Sequence, residues 1–477
     1  MKISVIGVGY LGAVHAASMA ELGHEVIGLD VDTERIQWLG AGQPPFHEPG
    51  FEEILRRGIE TGDLRFTTDY ADLADVEVHF LGLGTPQRAD GMGADLSYLH
   101  AAVDSLLEVL PARRGQDTLV VGKSTVPAGT ARALADRIEA VDGARLMWNP
   151  EFLREGFAVQ DTIAPDRIVY GVRDEDAARA AGAEEPGRQV DPAPEVPGRL
   201  VDPAREVPGR LVDPARAPEV ALLDAVYARI LETGVPRLVM GFETAELVKV
   251  SANAFLATKI SFINAIAEIC EANGADVTDI SRAIGMDDRI GSKFLRAGVG
   301  FGGGCLPKDI RAFIASAEDL GVGEALGFLR EVDELNERRR VHVVDIAREM
   351  LGGLEGRRIA VLGAAFKPDS DDVRDSPALD VANQLQVAGA EVVVTDPEAL
   401  DNAARRAPHL RGVADLEEAL TGAELVVLLT EWRQYRGLDP ASVASCVAAP
   451  RLIDGRNVLP LRAWREAGWE VRALGRP

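Results

Sequence analysis

Short apolar runs alternate with amphipathic stretches through the first 170 positions of the chain. The runs are Lys2–Ile6, Glu25–Asp30, Val76–Leu83, Thr118–Lys123 and Arg167–Val172. Runs of this length, rich in β-branched residues and separated by helical patterns, predict parallel strands joined by crossover helices. From Pro218 to Leu351 the pattern turns helical. Phe242 to Asn273 contains neither Gly nor Pro, which suits one long helix. Gly356 restarts the alternation with RRIAVLG, EVVVTDP, ELVVLLT and RLIDGRN, the marks of a second, smaller parallel sheet. The order is therefore α/β, helical, α/β.

Residues 186–217 break this order. An 11-residue unit recurs there as PGRQVDPAPEV, PGRLVDPAREV and PGRLVDPARAP. Each unit carries prolines and a glycine that interrupt helix and ladder alike. Each also offers too little apolar surface to stack as a solenoid, whose units run to roughly 20 residues or more. The tract reads as a disordered insertion; a partner-binding role is the alternative.

Composition narrows the function. The 477 residues are ample for about three domains. A net charge of −25 disfavours nucleic acid and anionic lipid as partners, so an anionic substrate needs a local basic pocket. No apolar run reaches the roughly 18 residues of a membrane span. The start, MKISVIGVGYLG, resembles a signal peptide only until its glycines are placed, and reads instead as a first strand. Three cysteines in so long a chain form no disulfide framework, and a reducing, cytoplasmic location is expected.

Those glycines carry the first chemical signal. Gly7-Val8-Gly9-Tyr10-Leu11-Gly12 follows a strand and opens an Ala-rich helix. The first glycine serves the tight turn, the second lets the backbone approach a pyrophosphate, and the third lets helix and strand pack closely. The helix N-terminus adds N–H donors and partial positive charge. Asp30 closes the next strand, where a carboxylate accepts from a ribose 2′-OH and repels a 2′-phosphate. NAD is thus favoured over NADP, although Arg35 nearby is a residue type that accepts a 2′-phosphate. A Rossmann-like domain is expected here. The second α/β half has VLGAAFKPD in place of the fingerprint, so it holds another ligand or only packs.

The second signal is a cysteine. Cys270 and Cys446 lie in apolar helical contexts and read as buried and inert. Cys305 stands in Phe301-Gly302-Gly303-Gly304-Cys305-Leu306-Pro307-Lys308-Asp309, a Gly-rich loop entering a helix. Helix N-termini and nearby cations lower thiol pKa, and glycines let a ligand approach. A reactive thiol and a structural cysteine in a tight turn are both open. Lys249 and Asn253, four apart, share a helix face and either stabilise an oxyanion or form a solvated polar stripe. Glu151, in Asn149-Pro150-Glu151-Phe152-Leu153-Arg154-Glu155-Gly156, is a candidate general base or a surface residue. The segment Lys123-Ser124-Thr125-Val126-Pro127 ends a strand, where ligands of parallel sheets bind.

With these motifs in view, GVGYLG, GTPQRADGMGADLSYL, KSTVPAGT, NPEFLREG, ELVKVSANAFLATKISFINAIAE, GFGGGCLPKD, LGAAFKPDSDDVRDSP, LLTEW and DGRNVL resemble, in order, the UDP-glucose/GDP-mannose dehydrogenase family. The resemblance spans nearly the whole chain outside 186–217. SRAIGMDDRIGSKFLRAG and TEWRQYRGLDP look most like the members acting on UDP-glucose. It implies two Rossmann-like parallel-sheet domains joined by a central helical region. The divisions are 1–185 for NAD, 186–217 as the insertion, 218–351 for the active site and dimerisation, and 352–477 for the UDP-sugar. It implies four-electron oxidation of a nucleotide sugar at C6, UDP-glucose to UDP-glucuronate, without a metal. Cys305 would trap the aldehyde as a thiohemiacetal and then a thioester. Lys249 and Asn253 would steady the oxyanion, Asp309 with Thr125 and a water would assist proton transfer, and Glu151 would activate water. Gly7, Gly9, Leu11, Gly12, Asp30, Arg35, Thr85, Thr125, Glu155, Lys308 and Arg374 would contact NAD. The nucleotide sugar would meet Glu151, Phe152, Leu153, Arg154, Glu155, Lys249 and Asn253, then Phe294, Leu295, Arg296, Ala297, Gly298, Gly302 and Lys367. A homodimer through the central helices is implied.

Two departures stand out. The loop reads GGGC where many relatives have GGSC, which leaves the thiol untouched. The 186–217 repeats are foreign to the pattern. Open alternatives are a sister enzyme acting on GDP-mannose or a UDP-N-acetylhexosamine, a single-oxidation hydroxyacid dehydrogenase that would need no thiol, and a non-catalytic NAD-binding regulator. Loop length changes stability by only about 0.6 kcal/mol per doubling, so deleting 186–217 is expected to leave folding and turnover nearly unchanged. Loss of turnover or of dimerisation in the deletion variant would give the tract a role.

Overall fold

The computed structural model describes residues 1–110, 117–174 and 218–477, so the 186–217 tract lies outside the described residues. The chain forms two compact units. The first comprises Met1–Ala89 and Ala94–Val250, the second Asp90–Gly93 and Ser251–Pro477.

The first unit is built on strands β1 (Lys2–Ile6), β2 (Glu25–Leu29), β3 (Leu64–Thr67), β4 (Val78–Leu81), β5 (Thr118–Gly122), β6 (Ala144–Trp148), β7 (Ile168–Val172) and β8 (Arg237–Gly241). Their order is β3-β2-β1-β4-β5-β6-β7-β8, which contains the 3-2-1-4-5-6 order of a dinucleotide-binding sheet. All pairs are parallel except β6 with β7, which meet antiparallel at Trp148 and Gly171. Both faces are covered, so the strands are almost wholly apolar. Ile3, Val5 and Val26 pack with Ala13, Ala17 and Phe80 on one face. Ile6, Ile27 and Leu81 pack with Val103, Leu134 and Trp148 on the other. Ser4 and His79, paired across β1 and β4, satisfy each other through Oγ and Nδ1 at 2.8 Å.

The expected strands of the first unit form, with ends shifted by one or two residues. Three others, β3, β6 and β8, carry too few alternating positions to declare themselves in the sequence. Strand β8 corrects the reading of 218 onward as helical: Arg237-Leu238-Val239-Met240-Gly241 pairs parallel with β7. The split between the two compact units falls inside the long helix, between Val250 and Ser251. That helix runs from Phe242 to Asn273, the bounds expected from its lack of Gly and Pro. By length and composition it would suffice to cross a membrane, contrary to the expectation that no run would. Its polar residues Glu246, Lys249 and Asn253 are, however, buried against protein partners.

The second unit contains the remaining central helices and the C-terminal sheet. Its sheet consists of β9 (Arg358–Leu362), β10 (Glu391–Thr395), β11 (Arg411–Gly412), β12 (Leu425–Leu428), β13 (Arg451–Asp454) and β14 (Glu470–Ala473). All are parallel, in the order β11-β10-β9-β12-β13-β14, the same winding as in the first unit. Residues of the helix Gly327–Leu351, among them Val343, Ala347 and Leu351, join the core of this sheet.

Candidate active site

In the first unit the loop after β1 has the geometry of a pyrophosphate cradle. Gly7 adopts φ +87°, and a Cβ on Gly12 would overlap the Gly7 carbonyl, so the turn needs both glycines. A Cβ at Gly9 would meet nothing within 4 Å, which leaves the backbone open to a ligand. Gly9 caps the helix Tyr10–Glu21 without a side-chain bond, and no acidic residue occupies its first turn. The helix N-terminus is thus free to face an anion. Asp30 is buried at the end of β2 and accepts from the Val8 N–H at 3.0 Å and the Asp32 N–H at 3.1 Å. Arg35 reaches Asp30 at 2.9 Å and Asp32 at 3.2 Å. The arginine that complicated the cofactor reading is therefore bound to the carboxylate that favours NAD. Thr85 and Thr125 meet where their strands end, the Thr85 hydroxyl donating to the Thr125 carbonyl at 2.7 Å.

Glu151 and Lys249 come together in the same unit, Nζ to Oε1 at 3.0 Å, with side chains only 10% and 5% exposed. Burial removes both the surface reading of Glu151 and the solvated-stripe reading of Lys249. Glu151 also accepts from the Leu153 N–H at 2.6 Å. The Phe152 ring lies 3.9 Å from the Arg167 guanidinium carbon and 5.7 Å from Lys249 Nζ. Arg154 is more remote: it is exposed and paired with Asp161 at 2.7 Å.

Cys305 belongs to the second unit. Cys305 is exposed and is the N-cap of the helix Leu306–Asp319, with Pro307 in its first turn. One turn on, the buried Asp309 donates its N–H to the Cys305 carbonyl at 2.9 Å. Its carboxylate accepts from Asn253 Nδ2 at 2.6 Å and pairs with Lys308 at 2.6 Å. Asn253, expected to face an oxyanion, is thus also the hydrogen-bond partner of the candidate proton carrier. The glycine run before Cys305 was read as room for a ligand. The protein's own 366–375 loop packs against these glycines: Cβ atoms on Gly302, Gly303 and Gly304 would overlap the Asp375 carbonyl, the Phe366 ring and the Arg374 guanidinium. Arg374 in turn pairs with Asp372 at 2.7 Å.

In the 294–302 segment, Leu295 and Ala297 are core residues, so only their main chain is left for a ligand. The Gly298 N–H is taken by Asn264 at 2.8 Å. Phe294 holds the strained φ of +63°, and both it and Arg296 are exposed. Cys270 is buried as expected. Cys446 is not: it is half-exposed, its thiol 3.7 Å from the Ser442 carbonyl.

Three carboxylates were missed. Glu48 accepts from the N–H groups of Gly156 and Ala158 at 2.6 and 2.7 Å and from the Tyr10 hydroxyl. Asp396 follows β10 as Asp30 follows β2, and VVVTD beside VIGLD was the available signal. It is saturated by the Ala364, Ala365, Glu398 and Ala399 N–H groups and the Trp432 indole. No acceptor capacity is left there for a ribose, in keeping with the missing glycine fingerprint. Glu246 caps the helix Thr130–Ile138, accepting from the Gly129 and Ala131 N–H groups at 2.7 and 2.6 Å.

Models of the UDP-glucose/GDP-mannose dehydrogenase family match the chain in three stretches: the NAD-binding domain over residues 1–184, the central domain over 243–338 and the UDP-binding domain over 360–460. The chain belongs to this family. A UDP-glucose 6-dehydrogenase of Rhizobium meliloti is 38% identical over the full length of both chains. One from Pseudomonas aeruginosa is 37% identical over all of this chain and 98% of its own. Among solved structures, a UDP-glucose dehydrogenase of Pyrobaculum islandicum superposes with a TM-score of 0.81, at 36% identity and 98% coverage of each chain. A UDP-D-ManNAc dehydrogenase of Pyrococcus horikoshii follows with a TM-score of 0.78 at 25% identity, over 100% of this chain and 99% of its own. In family terms the eight-stranded sheet is the NAD-binding domain, and the six-stranded sheet is the UDP-binding one.

A buried carboxyl of the first unit is poised near neutrality. Burial pushes the Glu246 carboxyl up to about 7, against its two backbone bonds. A carboxyl at 7 in the fold and 4.5 when unfolded holds an extra proton only in the fold. Its contribution therefore makes stability fall as pH rises from about 4.5 to 7, by roughly 3 kcal/mol at most. Urea unfolding of Glu246→Gln at pH 5 and pH 8 checks this. The variant is expected to gain on the wild type as pH rises, and an unchanged difference contradicts the assignment.

Proposed function

We propose that the protein oxidises UDP-glucose at C6 to UDP-glucuronate, taking two hydrides off each sugar and holding the intermediate on Cys305. The observation that carries this reading is an exposed thiol at a helix N-terminus with a buried, doubly bonded Asp309 one turn behind it. The names of the full-length relatives support UDP-glucose as the sugar. Binding of NAD fits the open backbone at Gly9, the uncapped helix behind it and Asp30; once bound, it supplies the hydride acceptor for each oxidation.

The residues divide the remaining work. The C6 hydroxyl must lose a proton as its hydride departs, and Asp309 with Thr125 is the assigned route through a water. The Cys305 thiolate then adds to the C6 aldehyde, forming a C–S bond and a thiohemiacetal whose oxygen is steadied by Lys249 and Asn253. Loss of the second hydride leaves a thioester. Water attacks its carbonyl, Glu151 takes the proton, and the C–S bond breaks to return the thiolate and release the carboxylate. A covalent intermediate keeps the aldehyde from escaping between the two oxidations. Phe152, Leu153, Arg154, Glu155, the 294–298 segment, Gly302 and Lys367 are assigned to the nucleotide sugar. Gly7, Leu11, Gly12, Arg35, Thr85, Glu155, Lys308 and Arg374 are assigned to NAD.

We assign a homodimer to the long helix. Phe255, Phe262 and Ile269 are 67%, 53% and 57% exposed, seven residues apart on one stripe, the pattern of a helix seam awaiting a partner. Three cysteines, none in a disulfide, suit a reducing cytoplasm.

Counting NADH against limiting UDP-glucose tests the reaction. Two NADH per sugar and UDP-glucuronate as product are expected. A ratio of one, or turnover of a UDP-N-acetylhexosamine in preference to UDP-glucose, overturns the reading.

A further inference from the structure

One charged side chain outside these assignments is buried beside them. Lys123 follows β5 and is 7% exposed. Among the described residues no carboxylate lies within ion-pair distance of its ammonium. Nζ donates instead to Asn149, to Oδ1 at 2.9 Å and to the main-chain oxygen at 3.4 Å, and lies 3.5 Å from the Tyr227 hydroxyl. The Phe80 ring is 5.9 Å away. His15, buried against Phe80 and held neutral by desolvation, adds no like charge.

Asn149 is fixed on every side. Its N–H donates to the Gly122 carbonyl at 2.7 Å and its Nδ2 to the Val169 carbonyl at 2.9 Å. Its Oδ1 also accepts from the Tyr227 hydroxyl at 2.7 Å. Pro150 follows with its rigid φ, and then Glu151, whose carboxylate is already tied to Lys249 and the Leu153 N–H. The orientation of Glu151 is thus set from Asn149, and the group holding both oxygens of Asn149 is Lys123. In surroundings this poor in water, the ammonium also acts on Glu151 through space.

We propose that Lys123 is a positioning residue for Glu151, holding the Asn149-Pro150-Glu151 turn and lending the carboxylate a second positive charge beside that of Lys249. The fold bears a penalty for this charge. Desolvation lowers the Lys123 ammonium to about 8, with the Glu151 charge opposing the shift. A lysine at 8 in the fold and 10.5 when unfolded destabilises the fold in full below about pH 8, and the penalty fades as pH rises from there to about 10.5. Packing alone would be better served by an uncharged side chain of the same length.

The inference rests on the proposed function and is tested with full-length Lys123→Met and Lys123→Gln. Expected are a thermal midpoint at pH 7 equal to or above that of the wild type and a kcat at least about tenfold lower. KM for NAD and for UDP-glucose should stay within about threefold. Gln keeps a donor for Asn149 without the charge. If it is as slow as Met, the charge is what matters; if it recovers, the hydrogen bond is. A midpoint that falls while kcat holds overturns the proposal, as does a kcat loss matched by lost stability or raised KM in both variants. A wild type that forms no NADH from UDP-glucose overturns the function and this role together. Wild-type turnover in both folded variants overturns the role of Lys123 alone.

Discussion

A polar group taken out of water must be met by a partner of its own kind, and the helix Phe242–Asn273 carries three such groups within eight residues. Glu246 is answered by the backbone of Gly129 and Ala131, Lys249 by Glu151, and Asn253 by Asp309. The partners come from three segments distant in sequence: the end of the Thr125 loop, the Asn149–Gly156 turn and the helix capped by Cys305. A helix of similar length with leucines at these positions would fold as readily and organise none of them. Truncating one member of a buried pair strands the other, which typically costs about 3–5 kcal/mol.

The two sheets show how one winding serves different ends. Both follow the order 3-2-1-4-5-6 in their core strands, and both end the second strand on a buried aspartate. In the first, Gly7, Gly9 and Gly12 bring the backbone close and leave a helix N-terminus free. In the second, Asp396 spends its acceptors on Ala364, Ala365, Glu398, Ala399 and Trp432, closing the equivalent place with the protein's own atoms. The family's NAD-binding and UDP-binding models fall on the first and the second of these sheets respectively.

Local signals in the sequence were read well where a motif and its structural context lie together. The Gly7–Gly12 fingerprint, the Phe242–Asn273 helix and the placing of Cys305 at a helix start are of this kind. Strands β3, β6 and β8 escaped because four or five residues, some charged, give no period. The partners of buried groups escaped for another reason: Glu246 and Gly129 are 117 residues apart, and Lys123 and Tyr227 are 104. Residue type announces that such groups need partners, but only the folded chain selects them. The crowding of the glycines before Cys305 escaped in the same way, since the chain that packs on them lies more than 60 residues downstream.

The central claim is that Cys305 becomes covalently bound to the sugar during turnover. Rapid acid quenching of the wild type with UDP-glucose and NAD, followed by peptide mass mapping, addresses it directly. The account predicts an acyl-sugar nucleotide adduct on the peptide containing Cys305, present only when both reactants are supplied. Finding Cys305 unmodified, together with full conversion to the acid by a Cys305→Ser variant, would contradict it.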